Sequence, residues 1–196
     1  MIREGEVVAF PTETFYGLGA DAFNVRALQK VFRIKRREKN KPLLLLVADR
    51  TWLSALVKGI PPVAEHLMER FWPGPLTLVF EASPHLPDVL TAKTGKVGVR
   101  VSAHPVASAL VEAVDGPITG TSANLSGQVS PSTAAEVLAA LRERLGAVLD
   151  GGKTRGGLGS TVLDVSNATP RIIRQGAIPR EDLEPFLVGS PRKGKD

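Results

Sequence analysis

The chain reads as one α/β domain, a twisted mixed sheet flanked by helices. Short apolar runs of strand length (Glu6–Phe10, Leu43–Ala48, Leu76–Ala82, Val97–Ser102) alternate irregularly with stretches whose apolar residues recur at helical spacing. The 196 residues include 43% hydrophobic side chains, enough for one buried core. No internal repeat and no linker between two cores appears, so a single domain over 1–188 is expected, followed by a polar, disordered tail over 189–196.

The elements follow in order. Glu6–Phe10, closed by Pro11, reads as a buried strand. Thr12–Asp21 reads as a glycine-punctuated loop. Asn24 is a helix N-cap, with Val25, Leu28, Val31 and Phe32 at helical spacing behind it. That helix brings Lys35 and Arg37 to its C-terminal end, where cations suit the helix dipole. Arg26 to Lys41 nevertheless holds eight Lys/Arg against one Glu, more than a helix end needs. Pro42 stops the helix, and Leu43–Ala48 reads as a central strand. Asp49 and Pro61-Pro62 each open a short helix, and Trp72-Pro73-Gly74-Pro75 turns rigidly into the strand Leu76–Ala82. In the strand Val97–Ser102, alternation puts Arg100 on the face opposite its valine neighbours.

Pro105–Val114 reads as a helix, and Ile118 begins a strand of small residues running to Gly127. Thr133 and Glu136 form a capping box for a helix to about Leu145. Ala147–Leu149, Ser160–Val165 and Arg171–Arg174 read as strands, and Glu181–Leu187 as the last helix. Gly151–Gly159 is a flexible glycine-rich loop.

Composition narrows the function classes. There is no cysteine, which excludes disulfides and thiolate metal sites and reads as cytoplasmic. No run of about 18 apolar residues and no signal-peptide core is present, so no membrane association is expected. A net charge of +5 and a pI near 9.7 favour anionic partners.

Gly152-Lys153-Thr154 matches the end of a P-loop, but that motif's first glycine would fall at Ala147, and a strand rather than a helix follows. His66, His85 and His104 have no matching nucleophile elbow, and no His/Asp/Glu spacing describes a metal cage. What remains is distributed: Lys35 and Arg37 on one stretch, Arg100 on a strand, Ser122 and Asn124 on another, Arg174 on the last. All sit at element ends beside small residues, equipment for holding a polyanion such as a nucleoside triphosphate.

On these residues the sequence resembles the YrdC/Sua5 family, whose members make threonylcarbamoyl-adenylate for tRNA modification. The matching stretches are Pro11–Leu18, Lys35-Arg36-Arg37 with Pro42-Leu43, Trp72–Thr77, Val99-Arg100, His104-Pro105, Ser122-Ala123-Asn124, Asp150-Gly151-Gly152, Ser160-Thr161 and Arg174. They run in the family's order over residues 7 to 176.

The resemblance implies a positively charged groove and a nucleotidyltransferase using ATP, L-threonine and bicarbonate, with Mg²⁺ arriving on the nucleotide. It implies that Lys35, Arg37, Ser122, Asn124, Ser130 and Arg174 bind ATP, with Lys35, Arg37, Ser122 and Asn124 serving the chemistry. Thr12, Arg100, Gly120 and Ser160 would surround threonine. tRNA or double-stranded RNA in the groove, and the downstream threonylcarbamoyl-transfer proteins, are the implied partners. The chain looks like the short YrdC type. The family's helix ahead of the first strand has only five residues here, and Ser102, Gly159 and Gln175 replace a common proline, glutamate and proline.

Two other readings compete. One is a basic groove for double-stranded RNA or tRNA without chemistry; the 5% aromatic content argues against single-strand readout. The other is a related carbamoyl-adenylate chemistry, as in hydrogenase maturation proteins. That context brings further domains and zinc-binding cysteines, neither of which is present in this sequence.

Overall fold

Two sheets, not one, organise the chain. In the computed structural model, residues 1–141 and 144–187 are described. The expected tail over 189–196 lies outside them, as do residues 142–143, which fall within the expected span of the helix opened by Thr133. The strands and helices are β1 (Val8–Pro11), β2 (Tyr16–Gly19), α1 (Val25–Lys35), β3 (Leu44–Leu46), α2 (Leu53–Leu56), α3 (Pro62–Phe71), β4 (Leu76–Glu81), α4 (Asp88–Thr91) and β5 (Lys96–Arg100). They continue with α5 (Pro105–Val114), β6 (Ile118–Thr119), β7 (Thr121–Ser122), α6 (Ala134–Leu141), β8 (Ala147–Val148), β9 (Thr161–Asp164), β10 (Arg171–Arg174) and α7 (Arg180–Leu187). One sheet has the order β7-β2-β1-β8, the other β10-β9-β4-β5-β3-β6. Both are mixed: β1/β8, β3/β5 and β4/β9 are parallel, the remaining pairs antiparallel.

The single expected sheet divides at Gly120. β6 pairs with β3 in the larger sheet, and β7, one residue later, pairs with β2 in the smaller. A Cβ at Gly120 would lie 2.7 Å from Leu46 Cγ and 2.9 Å from Leu44 Cδ1, so glycine lets the chain cross close over β3. β3 is therefore second from an edge rather than central.

β2 overturns the loop reading of its stretch. All four of its residues are buried and antiparallel to β1. Its glycines make room instead of turning the chain: a Cβ at Gly19 would meet the Phe10 ring at 2.9 Å.

α1 forms as expected. Asn24 Oδ1 accepts the Ala27 N–H at 3.1 Å, and Leu28, Val31 and Phe32 are buried, although Val25 is exposed. Arg36, with φ 49°, turns the chain out of the helix. The capping box of α6 is reciprocal: Glu136 Oε2 accepts from Thr133 N–H at 3.3 Å, and Thr133 Oγ1 accepts from Glu136 N–H at 3.2 Å.

The larger core joins α1 and α3 to β4 and β5. A smaller one packs Ala107 and Val111 of α5 against Phe10, Leu46 and Ile118. Among the described residues no helix is long and apolar enough to cross a membrane.

Candidate active site

A cavity of about 590 Å³ opens over one face of the larger sheet, within the ~300–1,000 Å³ usual for small-molecule sites. Strand alternation supplies its floor: Thr77 and Val79 from β4, Lys96, Gly98 and Arg100 from β5, Val162 from β9. Tyr16, Gly17, Thr121 and Ser122 of the smaller sheet form the opposite wall. Thr12, Arg37, Gly120, Ser130, Ser160 and Arg174 also line it. Residues separated by up to 162 positions thus converge, and with Arg100 and Ser122 they include most of the side chains singled out in the sequence.

Lys35 and Asn124 stand behind the wall. Lys35 is 2% exposed, and its ammonium donates to the Ser122 carbonyl, to the Asn124 carbonyl at 2.9 Å and to Asn124 Oδ1 at 3.1 Å. Ser122 Oγ in turn donates to Asn124 Oδ1 at 2.6 Å. Lys35 therefore braces the turn that carries Ser122, while Arg33, Arg36, Lys39 and Lys41 of the same stretch are exposed. Burial first, and then the charge of Arg37, push Lys35 down to about 7.

Arg37 donates from Nε to the Lys41 carbonyl at 3.2 Å and from Nη2 to the Pro42 carbonyl at 2.9 Å. These bonds fix the loop after α1 and hold the guanidinium at the cavity. Arg174 donates to the Ser160 carbonyl at 2.9 Å and to Ser160 Oγ at 3.1 Å, and Ser160 Oγ lies 2.9 Å from Thr77 Oγ1. Burial lowers the pKa of both arginines, and the charge of Arg174 lowers Arg37 further.

Arg100 is 3% exposed, and its Nη1 lies 3.2 Å from Glu13 Oε1. Its Nε is buried without a hydrogen-bond partner. Burial lowers its pKa and Glu13 opposes that shift. A protein carboxylate thus meets the guanidinium, yet Nε is left without a hydrogen bond.

Glu13, Tyr16 and Lys96 escaped individual notice in the sequence. Glu13 and Tyr16 lie inside the Pro11–Leu18 stretch, which was the available signal; Lys96 had only its alternation with Arg100. The Tyr16 hydroxyl donates to the Gly152 carbonyl at 2.7 Å and accepts from Gly151 N–H at 3.3 Å. Together with bonds from Thr154 N–H to Ser132 and from Gly156 N–H to Thr14, each 2.8 Å, it ties the glycine-rich loop beside the cavity. That loop leads into β9, not a helix, so it is no P-loop. His104 serves as a cap, its Nδ1 accepting the Val106 N–H at 3.2 Å, while His66 and His85 are exposed. Among the described residues no three of His, Cys, Asp and Glu converge on a metal-sized site.

The family model for Sua5/YciO/YrdC, described as telomere recombination, matches residues 1–176. The chain is 44% identical over 186 residues to the threonylcarbamoyl-AMP synthase of Pyrococcus abyssi, covering 95% of this chain and 55% of that one. It is 43% identical over 188 residues to the threonylcarbamoyl-AMP synthase of Bacillus subtilis, covering 95% and 54%. The chain therefore spans about half the length of these relatives. Its fold superposes on the crystal structure of P. abyssi Sua5 complexed with L-threonine with a TM-score of 0.92 at 43% identity, over 96% of this chain and 55% of that one. For E. coli YciO the TM-score is 0.85 at 29% identity, over 95% and 89%. By sequence and by fold, this chain belongs to the Sua5/YciO/YrdC family.

Proposed function

We propose that this protein is a threonylcarbamoyl-AMP synthase, converting L-threonine, bicarbonate and ATP to threonylcarbamoyl-adenylate and pyrophosphate for tRNA modification. The observation that carries the reading is Arg100: a buried guanidinium with an unpartnered Nε, lining the same cavity as two further arginines. The names of the relatives and the threonine complex of one of them support the substrates.

In this reading threonine's carboxylate takes the unpartnered Nε of Arg100, a charge-assisted contact worth roughly 1.5–3 kcal/mol. The hydroxyls of Thr12 and Ser160 and the close approach at Gly120 shape the space around it. The triphosphate lies toward Arg37 and Arg174, with Ser122 and Ser130 on the opposite wall. Lys35 and Asn124 act by holding the Ser122 turn. A divalent ion such as Mg²⁺ has no protein cage among the described residues and would be carried on the triphosphate's own oxygens.

The chemistry asks mainly for position and charge. The ammonium of threonine loses two protons to solvent as its nitrogen bonds to the carbon of CO₂ derived from bicarbonate, giving a carbamate that keeps one N–H. An oxygen of the resulting carbamate bonds to the α-phosphorus, the bond to the bridging oxygen breaks, and pyrophosphate leaves. Fixed guanidiniums stabilise charge on the transferring group without reorganising, which explains the lack of a protein nucleophile. The tethered glycine-rich loop and the partly enclosed cavity limit water, to which carbamates and adenylates are sensitive.

Pyrophosphate release, followed with threonine and bicarbonate each omitted in turn, tests the reading. Release should require both. Release that ignores threonine, or no release with all three present, would remove the assignment. Transfer to tRNA and contact with the downstream transfer proteins are part of the same proposal, and are read by adding tRNA and those proteins to the assay.

A further inference from the structure

Four cationic side chains line the cavity, and they are of two kinds. Lys96 and Arg100, both on β5, each have a carboxylate at ion-pair distance: Asp164 Oδ2 at 2.7 Å from Lys96 Nζ, and Glu13 Oε1 at 3.2 Å from Arg100 Nη1. Arg37 and Arg174 have none among the described residues; they bond only to the carbonyls of Lys41, Pro42 and Ser160 and to the Ser160 hydroxyl. Glu38, the acid next to Arg37 in sequence, lies 2.9 Å from Lys41. The β5 floor is therefore close to neutral, while the β10 edge and the end of α1 keep bare positive charge.

Glu13 is not itself part of the lining. Its Oε2 accepts from the Ser102 hydroxyl, and Ser102 Oγ also accepts the His104 N–H at 3.3 Å. Its Oε1 is buried without a hydrogen bond, so it meets Arg100 as a charge, off the N–H axes. The guanidinium is neutralised while its Nε, buried and without a hydrogen-bond partner, is left unsatisfied in a side chain that lines the cavity. A buried guanidinium with no such partner would attract any anion nearby, the triphosphate above all.

We propose that Glu13 is a specificity-determining residue that sorts the two substrates by charge. By neutralising Arg100 it keeps that guanidinium for a zwitterionic amino acid and leaves phosphate to Arg37 and Arg174. The proposal rests on the synthase reading above. A zwitterion carries its own ammonium, so its carboxylate meets Arg100 while its ammonium lies in the field of Glu13. A plain anion gains from Arg100 but is repelled by Glu13, and its net attraction is small.

The test compares L-threonine with 2,3-dihydroxybutyrate, which keeps the carboxylate and side chain but has a hydroxyl in place of the ammonium. Binding is measured by calorimetry on the wild type, Glu13→Gln and Glu13→Asp. The wild type should prefer threonine by at least about tenfold, Glu13→Gln should lose most of that preference, and Glu13→Asp, which keeps the charge, should retain it. An unchanged preference in folded Glu13→Gln overturns the proposal and leaves the synthase reading standing. Loss in both variants assigns the effect to shape and also overturns it. A wild type that binds ATP but not threonine overturns the synthase reading, and this proposal with it. Should Glu13→Gln fail to fold, the unmodified protein still decides. Inorganic phosphate should displace ATP and leave threonine binding unchanged; displacement of both alike overturns the charge sorting.

Discussion

Arg100 and Lys35 are both buried cations, and the structure treats them differently. Arg100 keeps its Nε without a hydrogen-bond partner. Lysine at that position would retain the charge that meets Glu13 but not the planar fork. Arg100→Lys should therefore lower threonine-dependent pyrophosphate release at least about tenfold, roughly 1.4 kcal/mol, with ATP affinity and melting temperature near wild type. A lower melting temperature with unchanged threonine saturation would make the arginine structural.

Lys35 has its three donors occupied and titrates at about 7, against 10.5 for an unperturbed lysine. Below about 7 both native and unfolded chains hold the proton, and the cost of the buried charge is present in full. From there to 10.5 only the unfolded chain holds it, so unfolding free energy rises with pH across that window. Lys35→Met should flatten the rise, read from urea melts at pH near 7 and near 9; parallel behaviour of the two proteins would place the titration elsewhere.

At the scale of elements, the cavity depends on how β6 hands the chain to β7. Gly120 makes that passage across Leu44 and Leu46, where an added methyl has no room. Gly120→Ala should cost about 1–3 kcal/mol by overpacking and should shift Ser122 away from the Lys35 brace. Denaturant midpoints measure the first effect and ATP affinity the second. A variant with wild-type stability and affinity would mean that β3 yields easily at this point. Helix α1 contributes its end in a different way: Arg36 leaves the helix in a left-handed conformation, and the two carbonyl contacts of Arg37 then hold the following loop.

The whole molecule carries a net charge of +5 and places two carboxylate-free guanidiniums at one side of its cavity. ATP binding should therefore weaken as salt rises, because mobile ions screen these charges over about 8 Å at physiological strength. Threonine, a zwitterion meeting a neutral pair, should be almost insensitive. Titrations at about 0.05 and about 0.5 M NaCl would separate the two, with a several-fold loss expected for ATP and less than about twofold for threonine. Equal salt dependence would mean that both ligands meet the same field.

The sequence by itself determined what depends on near neighbours. The Asn24 cap and apolar stripe of α1, the capping box of α6, and the alternation that turns Arg100 away from Val97 and Val99 all rest on spacings of a few residues. The ordered set of motifs carried the family and most of the cavity lining. The tertiary structure alone decided which cations are free. Lys35 is used up by Asn124, 89 residues away, and Lys96 by Asp164, 68 residues away, while Arg100 meets Glu13 from the segment between β1 and β2. It also decided that the glycines of β2 make room for Phe10 and that Gly120 separates two sheets. Local propensity acts through the backbone of adjacent residues, whereas neutralisation and close packing depend on chain segments that meet only after folding.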